Sequence, residues 1–505
     1  MTTGHEGASQ GAPSGTAEAA KQIAASPAET DREGSPGLGL RWGIVAKVAT
    51  KMISFGMNLV LARVLAPEDF GLYAVALAAN QILFYINDAG IVAATVQWRG
   101  KIEEMLPTAT AMVLALSATV YGVFWWLAPF FAGLAGNPEA APLVRLLTVS
   151  ILIDGFVSVR SAVMLRRFQQ DKIAKANMAG VAVQVALAIV LALNGAGAYS
   201  FAVGNVACSL VGGVLLFAWA GVPLRLALRR DIAVRLLRFG LPLAASLGVE
   251  AVVLNADAII VGKTLGGATL GIYLLAVNVS NWVPGFIGEI LRHVTLPGFA
   301  RVAEHNPSAF STRVRQIVPM LLVLVLPIAA LVGALAPPLV VFLYGDKWLP
   351  AAGVLSFLMI LMVVRMLTAL SFDILTSLGA TRSVVRMNLV WAAVLLPSLY
   401  AGAQLWGVHG VALAHAAVAL LVALPLAVLL LSREGVVLRP LVPRVARLLL
   451  GGLAAVAAVW AVGRLTGGTI PFVQLCAGGA AGIAVFALVG VPVAQIREMH
   501  ARIMT

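Results

Sequence analysis

Apolar residues run in stretches of about twenty almost from one end of the chain to the other, separated by short polar breaks. Each stretch is long enough to cross a hydrocarbon core. About fourteen such spans are expected. In the first half they are Ile44 to Val64, Phe70 to Gln97, Thr108 to Ala132, Leu143 to Leu165, Ala174 to Leu193 and Tyr199 to Ala220. The second half runs Phe239 to Gly262, Thr269 to Leu291, Val318 to Tyr344, Ala351 to Leu378, Val385 to Leu405 and Val411 to Leu431. A last pair covers Val445 to Val462 and Pro471 to Val493. The expected fold class is all-α, a polytopic helical membrane protein.

One break occurs twice. Residues 61–80 read LARVLAPEDFGLYAVALAAN and residues 261–280 read VGKTLGGATLGIYLLAVNVS, aligned without a gap two hundred positions apart. Arg63 falls on Lys263, Leu65 on Leu265, Gly71 on Gly271, Tyr73 on Tyr273 and Ala76 on Ala276. A repeated element predicts two lobes of six helices each, plus a terminal pair. With an even number per lobe, the pseudo-twofold runs along the membrane normal, and a site is expected between the lobes. Gly71 and Gly271 are assigned a structural or gating role.

Composition supports the membrane reading. Of 505 residues, 60% are hydrophobic and 11% charged, and mean hydropathy is +0.95. A net charge of +13 would suit a nucleic-acid binder, but its placement does not. Segments joining even to odd spans carry Arg166, Arg167, Lys172, Arg229, Arg230, Arg235 and Arg238 among many others, whereas the opposite set holds little beyond Arg63, Lys263, Lys347 and Arg464. That is the positive-inside pattern. It predicts cytoplasmic termini in a bacterial inner membrane and no nucleic-acid partner.

The charge and turn pattern also sets domain boundaries. Residues 1–40, without apolar period, read as a disordered cytoplasmic tail. The first lobe is expected over 41–221, an interfacial amphipathic helix over 222–238, the second lobe over 239–432, and the extra pair with a tail over 433–505. All external loops are short, which excludes a polymerase or lipid-linked glycosyltransferase with an external acceptor domain. No P-loop, activated nucleophile or metal-ligand spacing is present, so neither an enzyme nor a cofactor is expected. Cys208 and Cys476 lie inside spans and read as small core side chains.

Charges inside the spans supply the candidate chemistry, because each is costly unless it faces a cavity or a partner. Lys47 and Lys51 share a stripe of the first span, where Lys47 could equally snorkel to the interface. Arg145, Asp154 and Arg160 lie in the fourth span, and Arg365 and Asp373 in the tenth. The cations Lys47, Lys51, Arg145, Arg160 and Arg365 are the candidate anion-binding set, since ammonium and guanidinium groups suit phosphate oxygens. Asp88, Asp154 and Asp373 are candidate structural or gating groups. In the seventh span Glu250 and Asp257 are seven residues apart, within about 20° on one helix face, with Asn255 nearby. Two carboxylates and an amide oxygen form a candidate proton or sodium site. Pairing with Lys51 is the alternative.

The run LARVLAPEDFGLYAVALAANQILFYINDAGIVAATVQ resembles the opening of Wzx-type polysaccharide flippases of the multidrug/oligosaccharidyl-lipid/polysaccharide exporter superfamily. Leu61, Arg63, Leu65, Pro67, Phe70, Gly71, Asp88, Gly90 and Gln97 carry the likeness, with LRRFQQDKIAK, RLLRFGLPL and GDKWLPAA further on. The resemblance implies a two-lobed carrier of undecaprenyl-pyrophosphate-linked oligosaccharide, moving it from the cytoplasmic to the periplasmic leaflet by alternating access. It implies membrane lipids, an ion gradient of protons or sodium, and a polysaccharide polymerase or export machinery as partners. Two related readings stand beside it: a multidrug organic-cation antiporter of the same superfamily, and, because of the terminal helix pair, a lipid II flippase.

Overall fold

The polar breaks become helix ends. A computed structural model describes residues 36–285 and 307–490, apart from 89–90, 92–94, 96–97, 99–101 and 379. Its first half contains α1 (Pro36–Val64), α2 (Pro67–Asp88), α3 (Ile102–Leu134), α4 (Ala141–Leu147), α5 (Val149–Arg166), α6 (Gln170–Leu193) and α7 (Tyr199–Trp219). The second half contains α8 (Arg230–Leu265), α9 (Gly267–Ser280), α10 (Pro307–Ala334), α11 (Ala336–Tyr344), α12 (Pro350–Ser377), α13 (Thr381–Val418) and α14 (Leu424–Arg433). Helices α15 (Val442–Thr466) and α16 (Pro471–Gly490) follow. Among the described residues, ten helical stretches are long and apolar enough to cross a membrane. The chain has an all-α, polytopic membrane fold.

Local chemistry explains the interruptions. Between α10 and α11 the helix breaks before Pro337 and Pro338, whose missing N–H groups cannot continue the ladder. The apolar run from Ser383 to Arg433 is 51 residues long, and it folds back on itself at Trp406 and Gly407. Gly407 takes φ 57° and ψ −141°, a conformation open to glycine. The two legs then touch through their backbones: a Cβ added at Gly402 would lie 2.4 Å from the Gly410 carbonyl oxygen. Further on, a π turn over Ala419–Ala423 precedes Pro425, which offers no N–H to the carbonyls behind it.

Three expectations need correction. Residues 221–229 are not helical. Their leucines and arginines alternate with period two behind Pro223, and the backbone leans on α3, with Arg229 N–H donating to Thr108 Oγ1 at 3.2 Å. Helix α8 starts at Arg230 and runs unbroken through position 239, so the expected boundary at 238–239 is not a helix end. Helix α1 starts at Pro36, ahead of the expected tail boundary at residue 40.

The repeated element sits at the centre. Helix α2 is entered through Pro67 at its first position, and Asp69 Oδ2 accepts the Ala66 N–H at 3.1 Å to close the first turn. Helices α2 and α9, the two copies, pack against each other. A Cβ on Gly71 would fall 1.9 Å from the Gly267 carbonyl oxygen, and one on Gly271 would fall 1.9 Å from that of Pro67. The contact is reciprocal, as a twofold relation requires.

The same end of the molecule is closed around this crossing, again in duplicate. Trp348, fully buried, donates its indole N–H to Ala62 O at 2.8 Å. Lys347 Nζ donates to Arg63 O and Leu65 O at 3.0 and 2.7 Å. Arg63 in return donates to the Leu343 carbonyl at 2.8 Å. Burial lowers the Lys347 ammonium's pKa and Arg63 adds to the effect, while Asp69 opposes it. In the other copy the end of α3 abuts the end of α8: a Cβ on Gly262 would lie 2.4 Å from Ala135 O. Phe70 anchors the core beneath, with ring centroids 4.9 Å from Phe201 and 4.8 Å from Trp348. The final pair packs through glycines, Gly451 against Gly490 within the pair and Gly482 against Leu331 of α10.

Candidate substrate and ion site

Away from the closed end, two cations from opposite halves reach one turn of chain. Lys51 projects from α1 and its Nζ lies against Gly285, where an added Cβ would stand 2.6 Å away. Phe55, one turn along α1, meets Trp282 edge-on at 3.8 Å. From the other side, Arg365 of α12 donates Nη1 to Asn281 Oδ1 at 3.1 Å. Gly285 N–H donates to Asn281 O at 3.0 Å, so residues 281–285 form a single turn. Both cations are exposed to the space around it. Glycine at 285 is what lets the Lys51 ammonium approach.

Arg365 also lines a cavity of about 210 Å³ within the second half, walled by Thr368, Phe372, Met387, Asn388 and Trp391. Beside it lies a polar cluster. Asp257 Oδ2 accepts the Tyr273 hydroxyl at 2.9 Å and stands 4.0 Å from His415 Nδ1. The Trp391 ring centroid is 6.4 Å from that of His415, which ties the cluster to the cavity wall. Asn255 is buried on α8 two residues before Asp257. The Glu250 side chain lies outside the described residues.

The remaining candidates are not brought to this turn. Lys47 is exposed on α1, one turn before Lys51. Arg145 turns to the outer surface: Nε donates to Trp125 O at 3.0 Å and the guanidinium covers the exposed Trp125 ring at 5.0 Å. Arg160 is 1% exposed, donates Nη1 to Phe156 O at 2.7 Å and lies 4.3 Å over Phe217. Its position is interior to the first half. Asp373 is half-buried on α12, and the Asp88 side chain lies outside the described residues.

Asp154 lines a second cavity, of about 380 Å³, whose walls come from α1, α2, α5, α6 and α7. It accepts Asn87 Nδ2 at 3.2 Å, and Asn87 Oδ1 accepts the Ser117 hydroxyl at 2.8 Å. Sequence reasoning missed Asn87's link to Ser117 and the place of His415 and Tyr273. His415 carries a faint signal, as the lone polar side chain of VALAHAAVALL. No group of three or more His, Cys, Asp or Glu side chains among the described residues could hold a metal ion.

Residues 60–353, which include both copies of the repeated element and the GDKW turn of the closed end, match the family model described as polysaccharide biosynthesis protein. The chain belongs to this family. Among its relatives, the succinoglycan biosynthesis transport protein ExoT of Rhizobium meliloti is 27% identical over 318 residues, 63% of this chain and 64% of that one. The chain thus spans slightly less than two thirds of that relative. The lipopolysaccharide biosynthesis protein WzxC of Escherichia coli is 24% identical over 383 residues, 74% of this chain and 76% of that one. The polysaccharide biosynthesis fold is also that of the lipid II flippase MurJ in its inward closed conformation, at TM-score 0.72 and 10% identity over 88% of this chain and 97% of that one. The Wzx-type resemblance read from residues 61–97 stands on these findings.

Proposed function

We propose that this polysaccharide biosynthesis family member is a flippase, carrying an oligosaccharide linked through pyrophosphate to a polyprenyl lipid from the cytoplasmic to the periplasmic leaflet. The observation that carries the reading is the convergence of Lys51 and Arg365 on the turn 281–285, one cation from each half. A pyrophosphate has to shed water to cross the bilayer, and cations facing it from both halves replace part of that water with charge-assisted hydrogen bonds. The guanidinium supplies paired donors for two phosphate oxygens and the ammonium a mobile point charge. The lipid tail stays in the hydrocarbon while the head group passes between the halves.

In this reading the fourteen spans form two six-helix lobes and a terminal pair, in the inner membrane with both termini cytoplasmic. The lobes rock about the Gly71–Gly271 crossing, so that the closed end opens as the other end shuts. Asp257, with Asn255, Tyr273 and His415 around it, takes the coupling proton or sodium ion. An antiporter for organic cations is disfavoured by the positive charges at the turn, which repel such a substrate.

The test is complementation of a strain lacking its own polysaccharide flippase, with each protein's membrane level measured. Wild-type chain should restore surface polysaccharide, and Lys51→Ala and Arg365→Ala should not. Full restoration by both variants would overturn the assignment of the site, and failure of the wild-type chain with a cognate pathway would overturn the function.

A further inference from the structure

The two cavities are the same place in the two halves. In the first, Ser150, Asp154 and Val157 come from α5, Asn177 from α6, and Cys208 and Gly212 from α7. In the second, the wall includes Leu361, Arg365 and Thr368 of α12, Asn388 of α13, and Ala419 and Ala423 of the π turn. Taken in order, every one of these six pairs is 211 positions apart. The repeated element around Gly71 and Gly271 is offset by two hundred. The second half is therefore eleven residues longer than the first between these two regions, and the internal register holds on either side.

Among these equivalent positions one difference dominates. Where the first cavity presents the Asp154 carboxylate, the second presents the Arg365 guanidinium. The amide at the third helix is kept, Asn177 in one and Asn388 in the other. Volume differs as well, about 380 Å³ against about 210 Å³. A carboxylate repels phosphate, but it accepts hydrogen bonds from sugar hydroxyls, and neighbouring amide and hydroxyl groups complete such a set. A guanidinium does the reverse, binding phosphate oxygens in pairs, and Arg365 stands exposed on the wall of its cavity, where a ligand can reach it.

We infer that the duplicated cavities divide one substrate by charge: the second-half cavity holds the pyrophosphate and the larger first-half cavity holds an uncharged sugar residue. The inference rests on the flippase reading and adds to it which half takes which part. Recognition of the sugar is then placed at Asp154 and Asn177, away from the cations that any lipid pyrophosphate would engage.

Position 208 and its counterpart 419 allow both cavities to be read by the same chemistry. Cys208 lines the first cavity, and the other cysteine, Cys476, is exposed on α16. One full-length protein carries Cys476→Ser, leaving Cys208. The other carries Cys208→Ser, Cys476→Ser and Ala419→Cys. In nanodiscs, the rate of labelling by N-ethylmaleimide is measured with inorganic pyrophosphate, or with the oligosaccharide released from the host's lipid carrier by mild acid and treated with phosphatase. At ten times its dissociation constant, a ligand should slow labelling in its own cavity about tenfold. Pyrophosphate should protect the protein with Ala419→Cys and leave Cys208 unchanged; the sugar should protect Cys208 alone. Asp154→Asn should abolish sugar protection in the Cys208 protein, while the same substitution added to the Ala419→Cys protein keeps pyrophosphate protection, which also reports that it folds. Protection of both positions by one ligand, of the opposite positions, or of neither would overturn the division. Where that happens in a chain that still complements export, the flippase reading survives without it; where the division holds but export is not restored, the flippase reading alone falls.

Discussion

Gly71 and Gly271 lie against each other's helices, each so close that a single added carbon would land 1.9 Å from a backbone carbonyl oxygen of the other copy. Backbone cannot yield as the tip of a flexible side chain can. Gly71→Ala and Gly271→Ala should therefore each destabilise the closed end, by about 1–3 kcal/mol on the scale of overpacked cores. The near-twofold contact makes the two effects similar. Thermal unfolding in detergent measures both, and one substitution that proves harmless would contradict the symmetric crossing.

The turn GDKW fastens the end of α11 to the end of α1. Trp348→Phe keeps the packing against Phe70 but removes the donor to Ala62 O. A loss of about 1 kcal/mol is expected for that hydrogen bond. Trp348→Ala removes a fully buried side chain as well and should cost about 3–5 kcal/mol. Denaturation midpoints of the two variants separate the donor's share from the ring's.

Gly285 faces the tip of a flexible lysine, not backbone. Gly285→Ala should accordingly leave expression intact and weaken export modestly as Lys51 swings aside. Gly285→Leu should displace the ammonium altogether and lower export to the level of Lys51→Ala. Equal export by wild type and Gly285→Leu would remove Lys51 from the site.

The Asp257 cluster, beside the cavity that Arg365 lines, is assigned to the coupling ion, so it should affect driving force more than substrate recognition. Asp257→Asn should reach the membrane at wild-type levels yet lose dependence of transport on the imposed ion gradient. His415→Gln should weaken that gradient dependence as well, since His415 Nδ1 stands 4.0 Å from the Asp257 carboxylate. Transport by proteoliposomes under imposed proton and sodium gradients measures both; unchanged gradient dependence in Asp257→Asn would take the ion elsewhere.

Much of this architecture is legible in the amino-acid sequence, because spans and breaks are written in apolar runs and in the repeat at Gly71 and Gly271. Residues 222–229 mislead for a physical reason: alternating leucine and arginine satisfies a helical count over so short a stretch, while Pro223 and the period of two favour extended chain. Intramembrane charge locates Lys51, Arg365 and Asp257, but depth along a helix does not say which way a side chain faces. Charge alone groups Arg145 with the lumen cations, although it lies on the outer aromatic Trp125. The paired cavities escape the sequence because only Asn177 and Asn388 are identical among the six matched positions. The repeat there is one of place and not of residue type. His415 escapes because the fold-back at Gly407 is what carries it to Asp257.

The central claim is that cations from both halves act together on one pyrophosphate at the turn 281–285. It is tested most directly by leaflet transfer of a fluorescent lipid-pyrophosphate oligosaccharide in vesicles containing the purified protein. Wild-type chain should transfer it, while Lys51→Ala and Arg365→Ala should each slow transfer strongly, and the double variant should be little worse than either single one. Transfer at the wild-type rate by the double variant would contradict the claim.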